Sequence, residues 1–177
     1  MMEHRTPGGT NFNQFISNTT MYTSLAVPAT VLVIGILHDD KPTLKKALYI
    51  TESIAVSTLI SYTLKNAVNR TRPFNANPLI IPADGSKSFS PSFPSGHTSM
   101  AFSTATSLSI AYPKWYIIIP SYAWATTVAY SRMYLGVHYP TDVAAGAIVG
   151  AGSAWLTYKA NQWLQGKGKP KKVKTVY

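Results

Sequence analysis

The sequence predicts an all-α fold: an integral membrane helical bundle of about five transmembrane helices. Three observations carry this prediction. Charged residues make up only 12% of the 177-residue chain, about half the share usual in soluble domains. Those charges are segregated into ends and connections, which leaves long runs without Asp, Glu, Lys or Arg. Gly146-x3-Gly150 puts two glycines on one side of the last apolar run, a spacing that suits close helix approach in lipid. The mean hydropathy of +0.03 is low for a membrane protein, so the distribution matters more than the average. A soluble helical domain that buries the same runs is the competing arrangement.

Residues 1–18 are polar, with Gly8-Gly9 and several Asn, and are expected to form an N-terminal segment ahead of the bundle. They contain no apolar run and do not resemble a signal peptide. The bundle itself is expected over 19–165. Its first helix is the uncharged run 20–38, near the ~20 residues that span a bilayer. Asp39-Asp40-Lys41-Pro42 closes it as a turn and helix cap. The second runs from Leu44 to about Leu64 and carries Glu52, which is costly in lipid and should take a structural hydrogen bond. A polar stretch rich in Pro, Asn and Ser follows, and Pro73 is expected to end the second helix near the membrane surface, leaving Arg72 at its edge. The third helix, 98–112, is small and hydroxyl-rich, and makes sense inside the bundle under the cover of the others. Pro113-Lys114 ends it. Trp115–Tyr130 and Val143–Leu164 supply the fourth and fifth helices, with Trp115, Tyr116, Trp155, Tyr158 and Trp163 expected as interface anchors. Residues 166–177 form a basic Lys/Gly tail, expected to be disordered.

Charge excludes some roles and suggests others. The formal net charge is +10, which points to an anionic substrate or an anionic membrane surface. Nucleic acid is not indicated, because no basic helix or aromatic RNA-binding motif is present. No cysteine occurs, which removes disulfides and thiolate metal sites. Five spans put Lys41, Lys45, Lys46, Lys114 and the tail lysines on one side, and Arg5, Lys65, Arg70, Arg72, Lys87 and Arg132 on the other. The positive-inside tendency makes the first side cytoplasmic. The N-terminus and the motifs described next then face the periplasm or exterior of a bacterial inner membrane. An external N-terminus without a leader leads to the expectation that a cleaved signal peptide precedes this chain. N-terminal sequencing of protein from the complete gene tests that, and an intact Met1 counts against it.

Three stretches name a chemistry: Lys65-x6-Arg72-Pro73, Pro94-Ser95-Gly96-His97, and Ser131-Arg132-x5-His138-x3-Asp142. Together they offer three fixed cations, two imidazoles and a carboxylate. A phosphate monoester carries up to two negative charges, and a protein nucleophile meets it only if cations offset that charge. Arginine forks onto two oxygens while lysine acts as a point charge. One such cation at a helix end is ordinarily a snorkelling side chain; three beside two histidines are not. Ser95 suits an N-cap, and Gly96 admits close backbone approach. Backbone N–H groups of Ser95 and Gly96 at the start of the third helix would meet phosphate oxygens. His97 could protonate a leaving alkoxide. Pro140-Thr141 reads as a helix start with Asp142 in its first turn. Asp142 can then hold one nitrogen of His138 and leave the other free as a nucleophile. His4 and His38 have no partner spacing for a metal.

These three motifs, complete at every position and in order, resemble the pattern of the type 2 phosphatidic acid phosphatase superfamily. The resemblance covers about residues 60–145. It implies a phosphohistidine at His138, oriented by Asp142, with His97 protonating the leaving group and then activating water. It implies that Lys65, Arg72, Ser95, Gly96 and Arg132 bind the phosphoryl oxygens, and that no metal or other cofactor is needed. The family's membrane members usually have six spans, one more than the five expected here. The expected activity is hydrolysis of a phosphomonoester or pyrophosphate on a membrane lipid. Alternatives are a soluble or periplasmic acid phosphatase on small esters, a lipid phosphotransferase, and a haloperoxidase in which His138 ligates vanadate.

Overall fold

The computed structural model describes residues 5–77, 79–83 and 90–167. Among these residues the chain is all-helical. Five long helices, α1 (Pro7–Leu37), α2 (Lys41–Val68), α4 (Gly96–Ala111), α5 (Trp115–Tyr134) and α6 (Pro140–Lys167), are joined by one short turn of helix, α3 (Pro73–Ala76). The expected tail lies almost wholly outside the described residues.

α1 starts well before the apolar run. Thr6 caps it, its Oγ1 accepting the Gly9 N–H at 3.1 Å, and Pro7 sits at the first helical position. Its 31 residues reach about 46 Å, longer than the ~30 Å hydrocarbon layer. The polar turns therefore extend the apolar span and are continuous with it. Asp39 (φ 47°) makes the turn into α2 and Asp40 occupies the N-cap, as expected.

The helices are polar inside and apolar outside. The buried residues of α1 are Asn13, Ser17, Thr20, Ser24, Pro28, Val31 and Gly35, a repeat of three and four that marks one stripe. Phe12, Phe15, Met21, Tyr22, Leu25 and Leu37 are exposed. α2 repeats the arrangement, with Thr43, Ala47, Ile50, Ser53, Ser57 and Ser61 buried and Leu48, Leu59 and Tyr62 exposed. Small residues let helices approach where lipid removes any hydrophobic drive between them. In water such outer faces would be a large apolar liability.

α4 is the centre. At 16 residues it is about 24 Å long, short for a lone span, and it packs on α1, α2, α5 and α6. Its hydroxyls face neighbours: Ser99 Oγ lies 2.8 Å from Ser57 Oγ and 2.7 Å from Ser61 Oγ, and Thr104 donates to Ser24 at 3.0 Å. The tightest seam is α4 on α6. A Cβ on Gly150 would lie 2.2 Å from the Ser99 carbonyl oxygen, and one on Gly146 would lie 2.7 Å from that of Ser95. The Gly146-x3-Gly150 spacing thus seats α6 directly on the helix that begins with Ser95-Gly96-His97.

Two expectations change. Pro73 was expected to end the second helix. Asn69 ends it instead, in the left-handed conformation (φ 46°), and Pro73 begins α3. Tyr158 is not a simple interface anchor, since its ring packs edge-on against Tyr49 at 6.0 Å. Trp115, Tyr116, Trp155 and Trp163 are exposed, as interface anchors would be. Glu52 takes the structural bond expected of it, accepting Asn161 Nδ2 at 2.8 Å.

Candidate active site

All three motifs meet at one end of the bundle, where α2 and α5 finish and α4 and α6 begin. Lys65 lies in the last turn of α2, and its Nζ donates to the Pro91 carbonyl at 2.8 Å. Its Cε would lie 3.9 Å from a Cβ on Gly96, so the first and second motifs are in contact. After Asn69 the chain runs extended, as the residue before a proline must. This carries Arg72 back over the site, where it is buried. Arg72 Nε donates to Ser90 O at 2.9 Å, Nη2 to Ser90 Oγ at 2.8 Å and Nη1 to Val137 O at 3.4 Å.

Ser95 is the N-cap of α4 and is fully buried. Its N–H donates to the main-chain oxygen of Asp142 at 2.9 Å, which bolts the second motif to the third. This N–H was expected to face a ligand, but it is already committed. The Ser95 Oγ accepts from Thr98 at 3.0 Å, leaving its own O–H available to donate. His97 is exposed on the first turn of α4.

Arg132, in the last turn of α5, is buried and donates through Nη1 to Ser17 Oγ of α1. The chain then reverses at Gly136, whose φ of 75° favours glycine. The Gly136 N–H bonds to Met133 O at 3.0 Å and the Val137 N–H to Arg132 O at 3.3 Å. This tight reversal turns His138 inward to 4% exposure. Its Nδ1 lies 3.5 Å from Asp142 Oδ2, within ion-pair reach though longer than a good hydrogen bond.

Asp142 has no exposed surface. Its Oδ2 accepts the Tyr139 N–H at 2.9 Å and its Oδ1 accepts Arg70 Nη1 at 2.9 Å. Lys65, Arg72 and Arg132 are close enough for their charges to act on both His138 and His97. Burial, with these cations, pushes the His138 imidazole down to about 4, against the opposing pull of Asp142. His138 is therefore neutral near pH 7.

The family model described as the PAP2 superfamily matches residues 46–165, well over half of the chain and all three motifs. The chain belongs to the PAP2 superfamily. Among its relatives, a lipid A 4'-phosphatase of Bacteroides thetaiotaomicron is 39% identical over 99 residues, 54% of this chain and 44% of that protein. An undecaprenyl-diphosphatase of Sulfolobus acidocaldarius is 30% identical over 148 residues, 83% of this chain and 66% of that protein. Aquifex aeolicus LpxE superposes with a TM-score of 0.69 at 28% identity, over 89% of this chain and 90% of that one. The transmembrane PAP2-type phosphatidylglycerolphosphate phosphatase of Bacillus subtilis shares the fold, with a TM-score of 0.70 at 24% identity, over 97% of this chain and 83% of that one. The chain spans about half to two thirds of the length of the first two relatives. The architecture is that of an integral membrane PAP2 bundle.

Within this PAP2 site, three residues escaped sequence reasoning. In the sequence Arg70 reads only as a charge on the motif side. It donates to Asp142 Oδ1, and also to Thr141 Oγ1 at 2.7 Å, and its guanidinium covers the Tyr139 ring at 4.0 Å. Ser17 lies in the polar segment ahead of the first apolar run, and no local pattern ties it to Arg132. Gly136 carried a legible signal, a glycine directly after an apolar helix.

Proposed function

We propose that this chain is a metal-independent lipid phosphatase, hydrolysing a phosphomonoester or pyrophosphate on a membrane lipid through a phosphohistidine. One observation carries the reading: a neutral, buried His138 beside a buried carboxylate, with Lys65, Arg72 and Arg132 around it. Asp142 orients Nδ1 of His138, which leaves Nε2 to attack phosphorus. The bond from phosphorus to the lipid oxygen breaks, and His97 donates a proton to that oxygen. Water, deprotonated by His97, then attacks the phosphohistidine and releases inorganic phosphate and free His138. Lys65, Arg72, Arg132, the Ser95 hydroxyl and the Gly96 backbone hold the phosphoryl oxygens as charge builds.

An apolar groove supports a lipid over a small soluble ester. A cavity of about 590 Å³ opens between α1, α2 and α4, lined by Leu25, Pro28, Ile54, Leu59, Tyr62 and Met100 among others. Tyr62 and Met100 stand three residues, one helical turn, from Lys65 and His97. A phosphoryl group at the histidines would leave its tail at the mouth of this groove. The names of the relatives make lipid A and undecaprenyl diphosphate the first substrates to try. Charge placement supports an inner-membrane protein whose site faces the periplasm or exterior and whose C-terminus is cytoplasmic.

The test is phosphate release by purified protein in detergent. Lipid A, undecaprenyl diphosphate, phosphatidic acid, phosphatidylglycerol phosphate and p-nitrophenyl phosphate are compared, with the His138→Ala chain as control. Release from at least one lipid, resistant to EDTA and abolished in the control, is expected. Activity on p-nitrophenyl phosphate alone would favour the soluble-ester alternative, and undiminished activity in His138→Ala would refute the mechanism.

A further inference from the structure

The end of the bundle remote from the histidines carries its own cavity. It measures about 410 Å³ and lies between the start of α2, the end of α4 and the last turns of α6. Lys45 and Lys46 border it, Tyr49 and Tyr158 form an aromatic wall, Ile110 adds apolar surface and Asn161 adds an amide. Among the described residues no carboxylate lines it. Glu52, one turn deeper on α2 than Tyr49, is engaged with Asn161. Among the described residues neither lysine has an ion-pair partner. Lys45 is exposed, and the Lys46 ammonium lies 4.2 Å from the centre of the Tyr112 ring.

Two lysines border this cavity and, among the described residues, no carboxylate lines it, so an anion entering it would meet two positive charges and no negative one. A free phosphate ion would use the lysines but leave the Tyr49–Tyr158–Ile110 wall without a partner. A phospholipid uses both halves, its phosphodiester on the lysines and its glycerol and upper acyl carbons on the wall. Basic pockets between membrane helices are suited to anionic headgroups for this reason. We propose that this cavity is a binding site for an anionic glycerophospholipid, held as a resident ligand distinct from the substrate. The site involves none of the three motifs and does not depend on which way the bundle faces.

Native mass spectrometry of the full chain released from detergent tests it, with phosphatidylglycerol and phosphatidylcholine as probes. One phosphatidylglycerol should stay bound under activation that strips phosphatidylcholine. Lys45→Gln/Lys46→Gln should weaken its binding by about 30-fold, from the contribution of two lysines near an anionic headgroup. Lys45→Glu alone, at an exposed position, should weaken it in the same direction, and melting followed by circular dichroism should show both variants folded. His138→Ala should retain the lipid, which separates this site from the catalytic one. Equal retention of the two lipids, or retention unchanged in the lysine variants, would overturn the proposal. So would displacement by an equal concentration of inorganic phosphate.

Discussion

The two ends of this bundle use the same residue types to opposite effect. At the motif end Lys65, Arg70, Arg72 and Arg132 are each tied to an oxygen of the protein: Lys65 to Pro91, Arg70 to Asp142 and Thr141, Arg72 to Ser90 and Val137, Arg132 to Ser17. At the other end Lys45 and Lys46 border a cavity that, among the described residues, no carboxylate lines. Stabilising a phosphoryl group in flight needs charges that do not move while the reaction proceeds. Holding a lipid headgroup needs charge but little geometry, and flexible lysines suffice. The difference between the ends therefore lies in how the cations are held.

The largest contrast is between His138→Ala and Lys45→Gln/Lys46→Gln. The first should lower kcat on a lipid phosphate by about 10³-fold or more, with the bundle still folded. The second should leave kcat within about twofold, as surface changes do away from a site. Comparable losses in both, measured by phosphate release, would erase the distinction between the ends.

Asp142→Asn should cost about 10²-fold, less than His138→Ala, because the imidazole remains but loses its orienting partner. It also bears on pH. With His138 held down at about 4, the nucleophile stays neutral until the pH falls well below the 6.5 of a free imidazole. The acid limb of kcat/KM should therefore lie near pH 4, and Asp142→Asn should move it lower still. The sign for stability follows from the same shift. Between pH 6.5 and 4 the unfolded chain binds more protons at this histidine than the folded chain does. Its contribution to stability is thus present above that window and lost as the pH falls through it. A limb at pH 6 to 7 would mean that His138 is not the buried neutral group described here.

Arg70→Met should cost about 30-fold in kcat with little change in KM, the worth of one hydrogen bond to a charged group, since Arg70 positions Asp142 and does not contact the phosphoryl group in the proposed mechanism. Removing one partner of a buried hydrogen-bonded charge leaves the other short of a bond. Arg70→Lys should recover only part of the loss, because an ammonium cannot reproduce the planar contact over Tyr139. A rise in KM alone would make Arg70 a substrate ligand instead.

Much of this was legible in the sequence because membrane helices announce themselves. The charge-free run 20–38 and the Gly146-x3-Gly150 pair are local patterns; the latter implied a close helix approach without naming the partner, which is α4. The motif residues were legible because their types and spacing have few other uses. Contacts between segments far apart in the chain were not. Arg70 and Thr141 meet across 71 positions and Ser17 and Arg132 across 115. Nothing in the local composition of either partner marks the other. The end of α2 was misplaced for a related reason: Pro73 is a strong breaker, but Asn69 took the left-handed conformation first.

Ser17→Ala should have the smallest effect, and it isolates the part that α1 plays. The Ser17 hydroxyl is buried and accepts from Arg132 Nη1, so its loss removes an oxygen from a guanidinium that water reaches poorly. A hydrogen bond to a charged group is worth about 1.5–3 kcal/mol, but Arg132 has other interactions that keep it in place. The expected cost is therefore about fivefold, and it should appear in KM, since Arg132 would grip the phosphoryl group in the ground state as well as in the transition state. Ser17→Thr keeps the oxygen and should restore the parent value. If neither substitution changes KM, the α1 contact with Arg132 is packing alone, and the motif cations are held by α2, α4, α5 and α6 without it.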